Sequence, residues 1–180
     1  MGDIPPIYTQ RLTLRPFTKA DAEALMSVFG DPEVMRFGDG VQTAAWVVGW
    51  LNDILDRQYT TIGFGPLAVV CLAEQRLIGY CGLFLFDDLD GNPEIELGYR
   101  LERRAWRNGY ATEAASAVRD HAFSALGIAR LISMIDPANH ASIRVAKKIG
   151  MHYEKDVMLA GYTHPDHIYA IPNKPTPSVA

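Results

Sequence analysis

The chain has 180 residues, of which 48% are hydrophobic and 21% are charged, so it is long enough to bury the core of one ordinary globular domain. Its net charge of −4 argues against a nucleic-acid-binding protein, because such proteins neutralise phosphates with an excess of Lys and Arg. No apolar stretch approaches the ~18 residues of a membrane helix, and the first ten residues lack the pattern of a signal peptide, so we expect a cytoplasmic protein.

The N-terminal part of the chain is predicted to form one strand and two helices. Residues 11–17 alternate apolar and polar side chains, as a half-buried strand does. A threonine cap opens a helix over residues 18–29, which a Gly-Asp-Pro sequence ends. A second helix is expected over residues 43–57, with Trp46 and Trp50 on its apolar face. These two indoles fit packing against a sheet, and a substrate groove is the alternative.

Three strands in the middle of the chain are predicted to form an antiparallel meander. They cover residues 66–73, 76–86 and 93–101. The two cysteines lie in the first two of these strands. A hairpin closed by Glu74 and Gln75 would place Cys71 opposite Ile78 and leave Cys81 about 10 Å further along, which is too far for a disulfide. Both thiols are therefore expected to be reduced and packed.

The C-terminal half of the chain adds a βαβ unit and two final strands. Strand 94–101, helix 110–126 and strand 129–135 follow one another, which makes the two strands parallel. The remaining elements are a helix over 139–148 and strands over 152–160 and 166–172. The whole pattern predicts an α/β (mixed α+β) fold: one domain over residues 1–172, with a central twisted mixed sheet of about seven strands and helices on both faces. The proline-rich tail 173–180 is expected to be disordered.

The entrance to the helix at Tyr110 is built from small residues. Gly109 precedes the helix, so the first N–H groups and the positive end of the helix dipole are open to an anion such as a pyrophosphate. An ordinary tight turn between a strand and a helix is the alternative, since it uses the same residues. A P-loop is excluded because its Gly-Lys-Ser/Thr is missing. A dinucleotide fold is disfavoured because the loop contains a single glycine.

Four consecutive segments carry a combination of motifs. They are PEIELGYRL at 93–101, ERRAWRNGYATEA at 102–114, ARLISMI at 129–135 and DPANHASIRVAKKIGM at 136–151. Together they resemble the GNAT superfamily of acyl-CoA N-acyltransferases, and TQRLTLRPFTKADAEAL and HPDHIYAI are similar to its branch of ribosomal-protein N-terminal acetyltransferases. The resemblance implies direct transfer of acetyl from acetyl-CoA to a primary amine within a ternary complex. That amine would be a protein N-terminus or a small molecule.

The resemblance also implies which residues contact acetyl-CoA. The pyrophosphate loop has Trp106 where the family carries Gln or Arg, and its backbone contacts would come from Arg107, Asn108, Gly109, Tyr110, Ala111 and Thr112. The exposed backbone of the preceding strand would pair with the pantetheine arm, and by spacing these groups belong to Tyr99 and Leu101. Asn139 matches a side chain that binds pantetheine, and an N-cap of the following helix is the equally weighted alternative.

Two residues are candidates for catalysis. Ser142 matches a serine that lies near the cofactor sulfur in this branch, whereas the tyrosine acid used by many members is replaced by Ala146. Glu94 and Glu96 alternate along one strand, and either could accept the proton of the amine. We expect Glu96 to do so because it is nearer the expected thioester, with two solvated carboxylates as the alternative.

The remaining expectations concern metals, partners and the class of protein. The cluster of His164, Asp166 and His167 is interpreted as a turn entering the last strand, so no metal is expected. The expected partners are acetyl-CoA and an amine acceptor, with no nucleic acid or membrane, and a homodimer stays open. A non-catalytic acyl-CoA sensor or scaffold is the alternative to an enzyme, and binding without thiol release would reveal it.

Overall fold

A single sheet organises the chain in the computed structural model, which describes residues 4–159 and 161–173. Its strands are β1 Ile7–Tyr8, β2 Leu12–Arg15, β3 Pro66–Cys71, β4 Arg76–Leu89, β5 Asn92–Leu101, β6 Arg130–Ile135, β7 His152–Val157 and β8 Asp166–Pro172. Their order is β1-β2-β3-β4-β5-β6-β8-β7, and only β5 and β6 are parallel. The predicted mixed sheet is confirmed. It has one strand more than expected, because the two-residue β1 is too short to show an alternating pattern.

Five α-helices accompany the sheet within the described residues. They are α1 Ala22–Phe29, α2 Pro32–Met35, α3 Ala44–Asp53, α4 Tyr110–Ser124 and α5 His140–Lys148. The first predicted helix begins instead with a 3-10 turn, Lys19–Asp21, where Asp21 Oδ2 accepts the N–H of Thr18 at 2.8 Å. The second predicted helix runs past its expected end, since α3 continues as a π-helical segment to Ile62. Gly63, with φ 85°, ends it in the left-handed conformation that favours glycine.

Helices cover both faces of the sheet, as predicted. On one face α1 and α3 pack against β3 and β4 through a cluster that includes Phe29, Leu51 and Tyr80. Trp50 belongs to this core, because its ring lies 4.9 Å from Phe29 and 5.3 Å from Tyr80 between ring centroids. Trp46 stacks on Trp50 at 6.3 Å and is 39% exposed, so packing accounts for Trp50, and a substrate groove at Trp46 stays a hypothesis.

The other face of the sheet is covered by α4 and α5. Buried α4 positions carry small side chains: Ala114, Ala115, Val118 and Ala122. These small side chains allow the helix axis to approach the sheet residues Leu97 and Leu131 closely. Helix α4, which follows the candidate phosphate loop, is therefore packed on the sheet through these small residues.

The hairpin between β3 and β4 differs from the sequence prediction. Cys71 pairs with Arg76 and Leu67 pairs with Cys81, so the placement of Cys71 opposite Ile78 was wrong. The loop has four residues, 72–75, and an irregularity between Val69 and Val70 shifts the register. Both cysteines are buried and free, as expected.

None of the helices formed by the described residues combines the length and the apolar character needed to span a bilayer. Asn173, in the predicted tail, donates its N–H to Ala129 O at 2.8 Å, and residues 174–180 lie outside the described part of the chain. The strand predicted over 152–160 ends at Val157, and residue 160 is likewise outside the description.

Candidate active site

The parallel strands β5 and β6 separate at the centre of the sheet. They pair only at Glu96 and Ile132, and beyond this point no further residue pairs join the two strands. The N–H of Glu102 donates to Ile78 O in β4 at 2.8 Å, and backbone groups alternate along a strand. The backbone groups of Tyr99 and Leu101 therefore face the gap.

One of these backbone groups already has a partner. The indole Nε1–H of Trp106 donates to Leu101 O at 2.8 Å. Trp106 thus uses its polar atom within the chain, and the carbonyl of Leu101 is less available to a ligand than that of Tyr99. Trp106, which stands where the family carries Gln or Arg, therefore has an intramolecular role.

The loop before α4 exposes backbone donors at the other end of this gap. Arg107 (φ 62°) and Gly109 (φ 82°) both adopt the left-handed conformation, which turns the chain sharply into the helix. The first helical hydrogen bond runs from Glu113 N–H to Gly109 O at 3.1 Å. Within the described residues the N–H groups of the three residues before Glu113, namely Tyr110, Ala111 and Thr112, have no hydrogen-bond partner. Such groups at a helix N-terminus bind phosphate oxygens.

A polar clamp that the sequence did not reveal fixes this loop. Arg11 Nη1 donates to Asn108 O at 2.9 Å, and the same guanidinium lies 4.7 Å from the centroid of the Tyr110 ring. Its Nε donates to Glu113 Oε2 at 2.7 Å, and Thr9 Oγ1 donates to Glu113 Oε1 at 2.6 Å. Burial raises the pKa of Glu113, but the hydrogen bonds from Thr9 and Arg11 outweigh this and hold it below its ordinary value.

The serine predicted from the family pattern lies beside a buried phenol. Tyr99 O–H donates to Ser142 Oγ with an oxygen–oxygen distance of 3.2 Å. Burial raises the pKa of Tyr99 to about 12, so the phenol keeps its proton at neutral pH and acts as a donor. The sequence analysis assigned a role only to the backbone of Tyr99. Ala146, where many members carry tyrosine, is buried in the core.

Asn139 has the capping role that the sequence allowed. Its Oδ1 accepts the N–H of Ser142 at 3.1 Å, which makes it the N-cap of α5 and orients the backbone of the serine. Its Nδ2 has no hydrogen-bond partner among the described residues, so the same side chain retains a donor for a ligand.

The two candidate carboxylates on β5 lie in different environments. Glu94 is paired with Arg130 at 3.2 Å, and Arg130 also binds Glu154 at 2.7 Å. Glu96 has no ion pair among the described residues, and its Oε1 accepts the N–H of Met134 at 3.1 Å across the gap. Burial raises the pKa of Glu96 to about 7, while the hydrogen bond from Met134 opposes this shift. A pKa near 7 suits Glu96 to exchange a proton near neutral pH.

The two catalytic candidates approach the gap from opposite sides. Side chains alternate along β5, so Tyr99 and its partner Ser142 lie on the face covered by α5, while Glu96 projects from the other face. The arrangement places a hydroxyl pair and a carboxylate on either side of the point where the ladder between β5 and β6 ends.

The chain belongs to the GNAT family, since the acetyltransferase (GNAT) domain matches residues 11–152. The uncharacterized protein YkkB of Bacillus subtilis is 35% identical over 156 residues, which are 84% of this chain and 87% of YkkB. A crystal structure of an acetyltransferase from Agrobacterium tumefaciens is 31% identical, with a TM-score of 0.79 over 95% of this chain and 96% of that one. RimL, a ribosomal L7/L12 α-N-protein acetyltransferase solved in complex with coenzyme A, shares the fold at 16% identity, with a TM-score of 0.74 over 93% of this chain and 98% of that one.

Family membership identifies the class of activity. The protein is an acetyl-CoA-dependent acyltransferase, which favours an enzyme over the non-catalytic sensor. Among the residues predicted to contact the cofactor, Tyr110, Ala111 and Thr112 have open N–H groups, and the backbone of Tyr99 faces the gap beside β6. The likeness to ribosomal-protein acetyltransferases is a likeness of fold.

Proposed function

We propose that this enzyme transfers acetyl from acetyl-CoA directly to a primary amine, either the α-amine of a protein N-terminus or a small-molecule amine, within a ternary complex. Coenzyme A would bind through the N–H groups of residues 107–112 and through the backbone of Tyr99 and Leu101, with Asn139 contacting the pantetheine. Location in the cytoplasm stays a sequence prediction, and the sequence leaves a homodimer open.

The observation that carries the proposal is the contrast between Glu96 and Glu94. A base must be able to gain and lose a proton near neutral pH, and the pKa of Glu96 is raised to about 7 by burial. Glu94 instead forms an ion pair with Arg130 at 3.2 Å. An α-amine, with its ordinary pKa near 8, is closely matched to such a base, whereas a lysine near 10.4 is not.

The chemical step balances with these groups. The amine nitrogen bonds to the thioester carbonyl carbon while the carbon–sulfur bond breaks, and the electron pair of that bond leaves with the sulfur as a thiolate. The amine gives one proton to Glu96, which releases it to solvent, and the thiolate takes one proton from solvent. Ser142 supplies a hydrogen bond to the departing sulfur, because its Oγ accepts from Tyr99 and its own hydroxyl hydrogen stays free. The products are the N-acetylated amine and the free thiol of coenzyme A.

The proposal is tested by thiol release from acetyl-CoA across a panel of N-terminal peptides and small amines. We expect turnover with at least one acceptor, and intersecting lines in two-substrate kinetics, as a ternary complex requires. Replacing Glu96 by Gln together with Ser142 by Ala should abolish release. Glu94→Gln, on the same strand and face, is the matched control and should keep most of the rate.

Two results would contradict the proposal. Parallel lines in the two-substrate kinetics would indicate a covalent acetyl-enzyme rather than direct transfer. Binding of acetyl-CoA without thiol release, whichever amine is supplied, would indicate a non-catalytic acyl-CoA sensor.

A further inference from the structure

Three potential ligand side chains converge where β6 ends and β8 begins. Asp136 follows β6, and His164 and Asp166 stand at the start of β8. One ligand atom from each residue lies within 4.8 Å of the others. His167, which the sequence grouped with them, is excluded, because its Nδ1 lies 2.6 Å from Asp156 Oδ1. Asp136 takes the third place in this group.

Asp166 is the least satisfied member of this group. It is 9% exposed, and its Oδ1 is buried with no hydrogen-bond partner in the described part of the chain. A buried carboxylate oxygen without a hydrogen-bond donor destabilises the fold, and more strongly when it is charged. Such an atom calls for a cation or a proton.

The other two side chains each have one potential ligand atom that makes no hydrogen bond among the described residues. Asp136 Oδ1 accepts the N–H of Ala138 at 2.7 Å, which leaves its Oδ2 free. His164 Nδ1 lies 3.3 Å from Pro165 O; a proton on Nδ1 would leave the lone pair of Nε2 facing Asp136 Oδ2 at 3.5 Å. Adjacent ligands of tetrahedral zinc are about 3.4 Å apart, given metal–ligand distances near 2.1 Å.

We propose that Asp136, His164 and Asp166 bind one divalent transition-metal ion of the zinc class, with the fourth position open. The imidazole and two carboxylates match the ligand preference of this class of ion. Asp166 is fixed by burial, and His164, whose side chain is 49% exposed, can close on the ion. The N–H of Asn139 donates to Asp136 O at 2.8 Å, so the metal site shares a turn with the candidate pantetheine contact.

Metal binding to the untagged chain, stripped with a chelator, tests the proposal. We expect calorimetry to show one Zn²⁺ per chain with a dissociation constant in the micromolar range or tighter, and Co²⁺ to give the visible absorption of a tetrahedral site. His164→Ala should weaken Zn²⁺ binding at least tenfold. His152→Ala, an exposed histidine on β7, is the matched control and should bind as the unmodified chain does.

The competing explanation is a protonated His164 held between the two carboxylates. In that case Zn²⁺ would not bind with one-to-one stoichiometry, or the variants His164→Ala and His152→Ala would bind Zn²⁺ equally well. Either result overturns the proposal. Asp166→Asn is a second variant, expected to lose the same binding. If it does not fold, His164→Ala carries the test, because its side chain is half exposed. Acetyl transfer by the metal-free chain is measured separately, so that failure of the metal site is distinguished from failure of the proposed function.

Discussion

Replacing Glu96 by Gln should stabilise the fold above neutral pH and slow the reaction at the same time. The folded-state pKa of Glu96 is raised from 4.5 to about 7, so the folded protein binds the extra proton between these pH values. The stability of the unmodified chain therefore falls as pH rises from about 4.5 to 7, and the cost is complete above pH 7. At 1.36 kcal/mol per pKa unit, that cost is about 3 kcal/mol.

Gln avoids the cost because it carries no charge, and its carbonyl can still accept the N–H of Met134. Denaturant unfolding at pH 5 and pH 8 measures the effect. The variant should gain little at pH 5 and up to about 3 kcal/mol at pH 8. In parallel, kcat/KM of the unmodified enzyme should rise with an apparent pKa near 7, and the variant should lose this limb and about 10²-fold or more in rate.

Opposite outcomes are easily recognised. A variant less stable at pH 8 than the unmodified chain would mean that Glu96 is a stabilised carboxylate and not a destabilised one. If kcat/KM of the Glu96→Gln variant still rose with an apparent pKa near 7, another residue would be the base. Glu94→Gln again serves as control, because its partner Arg130 is shared with Glu154 and the pH dependence near 7 should persist.

Three other substitutions probe the cofactor loop and the hydroxyl pair. Arg11→Gln removes the hydrogen bond to Asn108 O and should raise the dissociation constant for coenzyme A about 5- to 10-fold in a calorimetric titration. Arg57→Gln is the control, because Arg57 belongs to an exposed ion pair, and it should leave this constant unchanged. Gly109→Ala places an alanine at φ 82°, which should lower the free energy of unfolding by about 1 kcal/mol and weaken coenzyme A binding. A variant as stable as the unmodified chain would show that the loop relaxes. Tyr99→Phe deletes the donor to Ser142 and should lower kcat with little change in the KM for acetyl-CoA, while a change in KM alone would assign the phenol to binding.

Local patterns in the sequence determined most of the architecture. The alternation in β2, the apolar runs and turn residues of β3 to β5, and the small residues of α4 each depend on neighbours within a few positions, so they can be recognised in the sequence. The order of strand, helix and strand around α4 also determined that β5 and β6 are parallel. The errors lay at boundaries and in the β3–β4 register, where a bulge leaves no mark in the alternation.

Only the tertiary structure decided which of these residues act together. Glu94 and Glu96 are equivalent in the sequence, yet an arginine 36 positions away neutralises one and burial isolates the other. Tyr99 meets Ser142 across 43 positions, and Arg11 meets Glu113 across 102. Desolvation and hydrogen bonding depend on distance in space, and the chain brings these groups together only after the sheet has formed. The sequence therefore determined the scaffold and the loop, and the fold determined the chemistry of the side chains around them.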